Sequence, residues 1–125
     1  MGRISEFVCP SCHESWEVQI GHGMGHAVLE SVLDEFPPDI RRKILADVQG
    51  EEYPAFEFNY HPAVCWQCRK VVAVPVIYLH LAGHTYTAPC PDCGGLAAAQ
   101  AEDAEILCPH CGKGTLAEED TGRWD

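Results

Sequence analysis

Eight cysteines stand out in this chain of 125 residues, and each of them belongs to a C-x-x-C pair. The pairs are Cys9/Cys12, Cys65/Cys68, Cys90/Cys93 and Cys108/Cys111. Two thiolates three positions apart can share one tight turn and occupy two corners of a tetrahedron, so two such pairs complete the four-sulfur shell that Zn²⁺ prefers. The sequence therefore predicts two closed metal sites that use all eight cysteines as ligands, with two Zn²⁺ ions as the expected cofactors.

The residues beside the cysteines are typical of knuckle turns. The first cysteine is followed by proline in three of the pairs, at Pro10, Pro91 and Pro109. Gly94 and Gly112 follow the second cysteine of the last two pairs. Glycine accepts a positive φ at this position, which can aim backbone N–H groups at the sulfurs. The first two pairs carry His13 and Arg69 there instead.

Four pairs can be joined two by two in three ways, and the spacing favours sequential pairing. Residues 94–107 separate the third pair from the fourth, close to the spacing of about 15 to 20 in a common zinc-site pattern. Residues 13–64 separate the first pair from the second, which implies an insertion between their two knuckles. Interleaved and nested pairings remain alternatives.

Three other chemistries fit part of the cysteine pattern. Iron fits the same shell, because Cys90-Pro-Asp-Cys93-Gly resembles a rubredoxin knuckle. Redox-active dithiols are expected in a βαβ setting, which the surrounding pattern does not provide. The segment Cys9-Pro-Ser-Cys12-His13 matches the haem-attachment motif C-x-x-C-H, but haem there would leave one cysteine pair without a partner. Zinc accounts for all eight cysteines, and iron remains possible.

The elements that must position the cysteines are strands around a helical pair. Alternating apolar residues predict strands at 6–9, 15–20, 53–60, 71–81 and 86–88. Apolar residues at helical spacing predict two helices at 28–36 and 38–48, with apolar faces formed by Val28, Leu29, Val32, Leu33, Phe36, Ile40, Ile44, Leu45 and Val48. Pro75 indicates an edge or a bulge in its strand. We therefore expect an α+β fold of small zinc-ribbon, rubredoxin-like sheets with a two-helix insertion.

These elements suggest a division into three segments. Residues 5–88 form a zinc ribbon with a helical insertion, residues 89–116 form a second zinc ribbon, and residues 117–125 form an acidic tail. Trp124, near the end of this tail, has no local residue to pack on. We expect the tail to be disordered, and a docking peptide for another protein is the alternative.

The first 88 residues resemble the bacterial CpXC domain, a cysteine-rich domain with a C-P-x-C knuckle, a strand, a helical insertion and a second knuckle that leads into a strand. The matching parts are Cys9-Pro10-Ser11-Cys12, the strand at 16–20, the helix at 38–45 with Gly50, and Cys65/Cys68 before the strand at 71–81. Residues 90–112 are similar to a generic zinc-ribbon hairpin. The resemblance implies metal-dependent folding and a bacterial origin, and it supplies no catalytic residues.

Histidine is frequent, with seven residues, and two pairs have the spacing i, i+4. These pairs are His22/His26 and His80/His84. The helical metal motif H-E-x-x-H needs a helix and a glutamate, whereas His22 and His26 are separated by a methionine with a glycine on each side and no glutamate. We expect ordinary surface or hydrogen-bonded histidines, and a third, histidine-rich metal site that joins both pairs is the alternative.

The charge balance disfavours several kinds of partner. The chain has 8 Lys and Arg residues and 19 Asp and Glu residues, a formal net charge of −11, which repels phosphate backbones and anionic lipids. The run Arg41-Arg42-Lys43 is expected to be a solvated helix face. No apolar run reaches the length of a signal peptide core or a membrane span. We expect a cytoplasmic protein that binds neither nucleic acid nor membrane.

No sequence motif indicates catalysis. Phosphate-binding loops, nucleophile elbows and dinucleotide-binding motifs are missing from the sequence, and a zinc ion held by four thiolates has no open position to activate water. We therefore expect no enzyme but a zinc-binding interaction module or accessory subunit that binds another protein through its ribbon edges, residues 56–60 and the tail. The alternatives are a rubredoxin-like electron carrier, a nucleic-acid-associated zinc ribbon, and an enzyme that uses dithiols or histidines.

Overall fold

The computed structural model describes residues 2–101 and 104–124 and consists mainly of two antiparallel sheets. The strands are β1 (Gly2–Val8), β2 (Ser15–Ile20), β3 (Phe56–Cys65), β4 (Lys70–Leu79), β5 (His84–Thr87), β6 (Ala98–Ala99) and β7 (Ala117–Trp124). The first sheet has the order β2-β1-β7 and the second has the order β5-β4-β3-β6. A 3-10 turn (Met24–His26) and the helices α1 (Leu29–Leu33) and α2 (Pro38–Asp47) lie between β2 and β3. Asp125 of the predicted tail, and Glu102 and Asp103 of the predicted second ribbon, lie outside the described residues.

The predicted α+β class is wrong, because strands hold 42% of the residues and helices only 14%. Both predicted helices are present, but α1 is only five residues long. Strand content exceeds the prediction mainly because β3 continues to Cys65 and residues 117–124 form β7. The partner of β7 is β1, which is far away in sequence. The end of β3 pairs with the adjacent strand β4, but its last four residues are all buried and lack the alternation that indicates a strand. The protein is a small mostly-β protein.

The two helices cover one face of the second sheet. The largest buried core of the described residues is formed by the helices together with this sheet. It consists of Leu29, Val32, Leu33, Phe36, Ile44, Val48, Phe58, Ile77, Leu79 and Ala88. Full burial of a side chain such as Ile44 contributes roughly 1.5–3 kcal/mol. Val28 and Leu45, which the periodicity assigns to the same apolar faces, are exposed. Within the described part of the chain, no helix is both long and apolar enough to cross a membrane.

The basic run on α2 is only partly a solvated face. Arg42 and Lys43 are exposed, as expected, whereas Arg41 is half-buried. The Arg41 guanidinium donates to the carbonyl oxygens of Leu33 at 3.2 Å and Phe36 at 3.0 Å. Leu33 is the last residue of α1, where helix oxygens lack partners within the helix, and Phe36 lies three residues beyond it. Arg41 therefore joins the two helices.

Gly21 and Tyr60 connect the two sheets. The Gly21 N–H donates to the Tyr60 oxygen at 2.9 Å, and the Tyr60 N–H donates to the Gly21 oxygen at 2.6 Å. Tyr60 lies opposite Pro75 in the β3–β4 pair, so its backbone groups point away from β4 and are free for this bridge. The Pro75 oxygen accepts from the Ala88 N–H at 3.0 Å. Pro75 has no N–H to donate, and an N–H at this position would face the same side as this oxygen, where β5 ends. Gly21 has a φ of +92°, a conformation that favours glycine.

The predicted disordered tail is instead a strand as far as Trp124. Strand β7 pairs antiparallel with β1 from Gly2↔Trp124 to Val8↔Ala117, with an irregularity beside Ile4 and Ser5. The Trp124 indole N–H donates to the backbone oxygens of Arg3 at 3.1 Å and Ile20 at 3.2 Å. Its ring lies edge-on to Tyr60, with centroids 5.6 Å apart. Trp124 thus packs on residues that are distant in sequence.

Candidate metal centres

The eight cysteines form two groups of four. The outer cluster contains Cys9, Cys12, Cys108 and Cys111, and the inner cluster contains Cys65, Cys68, Cys90 and Cys93. Within each cluster the four sulfur atoms lie within 4.8 Å of one another. Across residues 2–101 and 104–124, no other group of three or more His, Cys, Asp or Glu side chains converges in this way. The two clusters could hold two metal ions.

The predicted sequential pairing of the cysteine pairs is wrong, because the structure nests them. The outer cluster joins the first pair to the fourth, and the inner cluster joins the second to the third. Each cluster therefore takes sulfurs from both sides of the predicted boundary between residues 88 and 89. The two predicted ribbons do not each hold a site of their own.

Strand pairing brings the outer cluster together. Cys9 follows Val8, the last residue of β1, and Val8 pairs with Ala117, the first residue of β7. Just before β7, the Leu116 N–H donates to the Ile106 oxygen at 2.8 Å. This hydrogen bond closes a hairpin that carries Cys108 and Cys111. The end of β1 and the start of β7 thus place the first and fourth knuckles side by side.

The inner cluster forms at the turn between β3 and β4. Cys65 ends β3 and pairs with Lys70 at the start of β4, so the second knuckle is itself the hairpin turn. The short strand β6 pairs with Ala63 and Val64 of β3, which returns the third knuckle to the same end of the sheet. The Lys70 ammonium also forms an ion pair with the carboxylate of Asp92, inside the third knuckle. This contact raises the pKa of Lys70.

The sulfur spacing fits a tetrahedral metal ion. Four sulfurs at about 2.3 Å from one zinc ion lie roughly 3.8 Å from each other. In the outer cluster, Cys9 and Cys111 are 3.6 Å apart and Cys12 and Cys108 are 3.7 Å apart. The inner cluster has distances of 3.6 Å for Cys65–Cys93 and 4.0 Å for Cys68–Cys90. A disulfide needs about 2.05 Å, and all eight cysteines are free thiols.

The same turn recurs at each knuckle. The residue after the second cysteine has a positive φ in all four: 67° at His13, 56° at Arg69, 74° at Gly94 and 71° at Gly112. The sequence indicated this conformation for the two glycines, and the structure extends it to His13 and Arg69, where it costs about 1–2 kcal/mol. In the first two knuckles, the N–H of the second cysteine points at the sulfur of the first at 3.4 Å.

Two glycines contribute to the clusters in a way that sequence analysis missed. A Cβ atom on Gly114 would lie 2.8 Å from the Cys9 sulfur, so this position requires glycine. Gly95 donates its N–H to the Cys93 sulfur at 3.4 Å, and a Cβ there would lie 2.8 Å from the Gln67 side-chain oxygen. The sequence feature that could have indicated these two positions is the second glycine that closely follows each of the last two cysteine pairs.

Burial is uneven within each pair. The first cysteine of every pair is buried, whereas Cys12, Cys68 and Cys111 are half-buried and Cys93 is exposed. Two small cores of buried residues surround the buried sulfurs, and one of them contains Phe7, Val64 and Leu116. The first cysteine of each pair therefore packs into the protein interior. The inner cluster is more exposed to solvent than the outer cluster, because Cys93 is exposed.

The protein environment favours ionisation of some of the thiols and opposes that of others. The backbone N–H groups of Gly114 and Lys113 lower the pKa of Cys111 to about 6, and the backbone N–H of Cys68 lowers the pKa of Cys65 to about 7. The neighbouring Cys93 thiol and burial raise the pKa of Cys68 to about 12. Because adjacent negative charges repel, only a bound cation would keep all four sulfurs of a cluster ionised.

Three of the four histidines singled out by their spacing, His22, His26 and His80, line one open cavity, but each of the four has its own polar partner. His22 contacts the Asn59 side-chain oxygen at 2.9 Å, and the ring nitrogen Nδ1 of His26 accepts the Gly23 N–H at 3.0 Å. The carboxylate partners are Glu57 for His80, at 3.3 Å, and Asp47 for His84, at 2.8 Å. The ring nitrogens do not converge within the distance that a shared metal ion needs, so the alternative of a third, histidine-rich site finds no support among the described residues.

The fold and the clusters define a class: a small mostly-β protein with two four-cysteine groups that are compatible with zinc-ribbon-like sites. Comparison of the chain with protein-family models, curated proteins and solved structures found no match. The resemblance to the CpXC domain therefore stays a prediction.

Proposed function

We propose that the protein is a non-catalytic zinc-binding module that acts as an interaction module or accessory subunit of a larger complex. One observation carries this proposal: each cluster presents four cysteine sulfurs within 4.8 Å of one another. Four protein ligands complete the tetrahedron of a structural zinc site, whereas catalytic zinc keeps one position for water or substrate. The expected role of the metal is therefore to stabilise the folded structure.

Metal binding is expected to be coupled to folding. Apparent binding free energies of structural Zn²⁺ are about 10–16 kcal/mol, as large as the whole stability of a typical domain, about 5–15 kcal/mol. The outer cluster would link the end of β1 to the start of β7, and the inner cluster would link the β3–β4 turn to β6. The proposed distant relationship to the CpXC domain, based on the first knuckle and α2, would imply the same dependence on metal.

The charge of the chain favours a protein partner over nucleic acid. The formal net charge is −11, and a zinc ion with four thiolates adds a charge of about −2 at each site. This negative field repels phosphate backbones. Of the contact regions expected from sequence, residues 56–60 are only partly available, because Phe58 is buried. Strand β7 pairs with β1 but is an edge strand of the first sheet with mostly exposed side chains, so a partner can still reach it.

An iron-containing electron carrier is the second candidate. A shell of four thiolates also accepts iron, and Cys93 in the inner cluster is exposed, which would give electrons a short path to the surface. The two candidates differ in colour, because ferric iron bound to thiolates absorbs visible light and zinc does not.

Metal analysis tests the proposal. The protein is purified from cells supplied with both zinc and iron, and its metals are counted by mass spectrometry. We expect two zinc ions per chain and a colourless sample, and unfolding on treatment with a strong chelator. A coloured protein with one or more irons would overturn the zinc assignment in favour of the electron carrier.

The interaction role is tested separately by chemical cross-linking in the native host. We expect one or more defined proteins to cross-link to the zinc-loaded chain, and to be lost when Cys12 and Cys68 are both replaced by serine. A protein that stays uncross-linked in its own cells, or that turns over a substrate, would contradict the role of an interaction module.

A further inference from the structure

An apolar groove with an acidic rim lies between the helices and the start of β3. It encloses about 480 Å³. Its apolar lining includes Val28, Leu45 and Tyr53, and its carboxylates belong to Glu30, Glu51 and Glu52. We call these six residues the acidic groove. It is separate from both cysteine clusters, whose residues do not line it.

The apolar side chains of the acidic groove are unusually exposed. Val28 is 54% exposed, Leu45 is 48% exposed and Tyr53 is 87% exposed. Val28 and Leu45 continue the apolar faces of α1 and α2 beyond the part that the core covers. Single exposed apolar residues are common, but several that line one concave site indicate a contact surface. The helices therefore carry more apolar surface than the protein itself buries.

The charges of the acidic groove indicate what covers it. Three of its lining residues are carboxylates, and no described lining residue is Lys or Arg. A second copy placed symmetrically on this groove would bring the same carboxylates together, and such like-charge contacts are unfavourable. Nucleic acid is repelled for the same reason. A segment with apolar side chains and flanking Lys or Arg residues satisfies both the apolar floor and the acidic rim.

We propose that the acidic groove binds a cationic amphipathic helix of a partner protein, with apolar side chains against Val28, Leu45 and Tyr53 and basic side chains beside Glu30, Glu51 and Glu52. Helix-in-groove recognition uses apolar residues spaced at i, i+3, i+4 and i+7. Such a helix places lysines on its flanks, where they can reach the rim. The inference rests on the proposed interaction function and names the surface that serves it.

A matched set of synthetic peptides tests the proposal on the full-length, zinc-loaded protein. The probe is a helical leucine–lysine peptide with leucines at i, i+3, i+4 and i+7. The controls are the same peptide with glutamate in place of every lysine, and a scrambled peptide of the same composition. Binding is measured by fluorescence anisotropy and located by amide chemical shifts. We expect the probe to bind at least tenfold more tightly than either control and to shift residues 28–30, 45 and 51–54.

Surface variants locate the binding site. Leu45→Ser and Tyr53→Ser each remove an exposed apolar contact, and we expect each to weaken the probe by about tenfold. The double variant Glu30→Gln with Glu52→Gln is expected to weaken binding and to reduce its salt dependence. Leu81→Ser is the control, because Leu81 is 77% exposed but does not line the groove. Zinc content and circular dichroism verify that each variant keeps its fold.

Four results would overturn the assignment of the groove. The glutamate peptide could bind as well as the probe, or Leu45→Ser and Tyr53→Ser could leave binding unchanged. Sedimentation could also show a dimer that Leu45→Ser dissociates, which would assign the groove to a second copy. If the cross-linked partner of the native host binds Leu45→Ser as well as the unmodified protein, the groove assignment fails while the interaction function stands. If the proposed interaction function is itself wrong, no partner cross-links to the unmodified protein in the native host, which distinguishes the two failures.

Discussion

The sulfur of Cys9 lies 3.6 Å from the sulfur of Cys111, although 102 positions separate the two residues. The antiparallel pairing of β1 with β7 produces this contact, because the last residue of β1 pairs with the first residue of β7. The outer cluster and the first sheet therefore depend on each other. A metal ion at this cluster would fix β7 in place, and the strand pairing in turn prearranges the sulfurs.

The nested arrangement predicts which double variants lose one metal and which lose two. Cys12→Ser with Cys111→Ser removes two sulfurs from the outer cluster only, so we expect one zinc ion per chain to remain. Cys12→Ser with Cys68→Ser removes one sulfur from each cluster, and we expect both sites to be weakened. Zinc is counted with a chromogenic indicator after gel filtration.

Sequential pairing makes the opposite prediction for the same two proteins, so the experiment contains its own control. Under sequential pairing, Cys12 and Cys68 share a site and Cys12 and Cys111 do not. One retained zinc ion in the Cys12→Ser, Cys68→Ser protein, with none retained in the other, would contradict the nested arrangement.

Acid is expected to release metal from both clusters, because protons compete with the metal for the thiolates. The pKa of Cys111 in the outer cluster is lowered to about 6, and the pKa of Cys65 in the inner cluster is lowered to about 7. Both values lie below the ordinary thiol pKa, so the stabilisation from these thiolates is present at higher pH and is lost as the pH falls through the folded-state pKa. Both clusters should therefore lose zinc as the pH falls.

Proteins with a single intact cluster allow acid release of zinc to be measured for each cluster separately. Cys68→Ser with Cys93→Ser keeps the outer cluster, and Cys12→Ser with Cys111→Ser keeps the inner one. Zinc release is followed with an indicator during titration from pH 8 downwards, over a range of roughly four pH units that covers both pKa values. Zinc that stays bound in either protein at the lowest pH of the titration would contradict coordination by thiolates.

Two neighbouring residues of α2 should respond very differently to truncation. Ile44 is fully buried and Leu45 is 48% exposed. Ile44→Ala leaves a cavity in the largest core, and we expect it to lower the free energy of unfolding by about 2–5 kcal/mol. Leu45→Ala should change it by less than about 0.5 kcal/mol. Urea denaturation of the zinc-loaded proteins measures both, and similar losses at the two positions would refute the described orientation of α2.

The positive φ at His13 predicts that glycine is more favourable there than alanine. His13 has a φ of 67°, a conformation that penalises every residue with a Cβ atom. We expect His13→Gly to be more stable than His13→Ala by about 1 kcal/mol, despite the greater entropy of glycine in the unfolded chain. Thermal denaturation of the two zinc-loaded variants checks this. Arg69→Gly and Arg69→Ala form an independent pair, since Arg69 has a φ of 56°, and an advantage for alanine at both sites would contradict the left-handed turns.

Local features of this chain could be predicted from its sequence. Helix α2 begins at Pro38 as predicted, because proline suits the first turn of a helix. The positive φ at Gly94 and Gly112 also follows from their position after a cysteine pair. The grouping of the cysteines into C-x-x-C pairs depends only on spacing. Each of these features involves residues within a few positions of one another, so the amino-acid types are sufficient to indicate them.

Only the tertiary structure decided which cysteine pairs meet, that the protein is mostly β, and that residues 117–124 form a strand. The four knuckles are chemically alike, so no local property distinguishes one partner from another. The choice is made by the register of β1 on β7 and of β6 on β3. Trp124 likewise packs on Tyr60 and hydrogen-bonds to Arg3. These contacts are stabilised by burial and by strand pairing between distant segments. Residue types within a short stretch of sequence do not indicate which distant segments will pair.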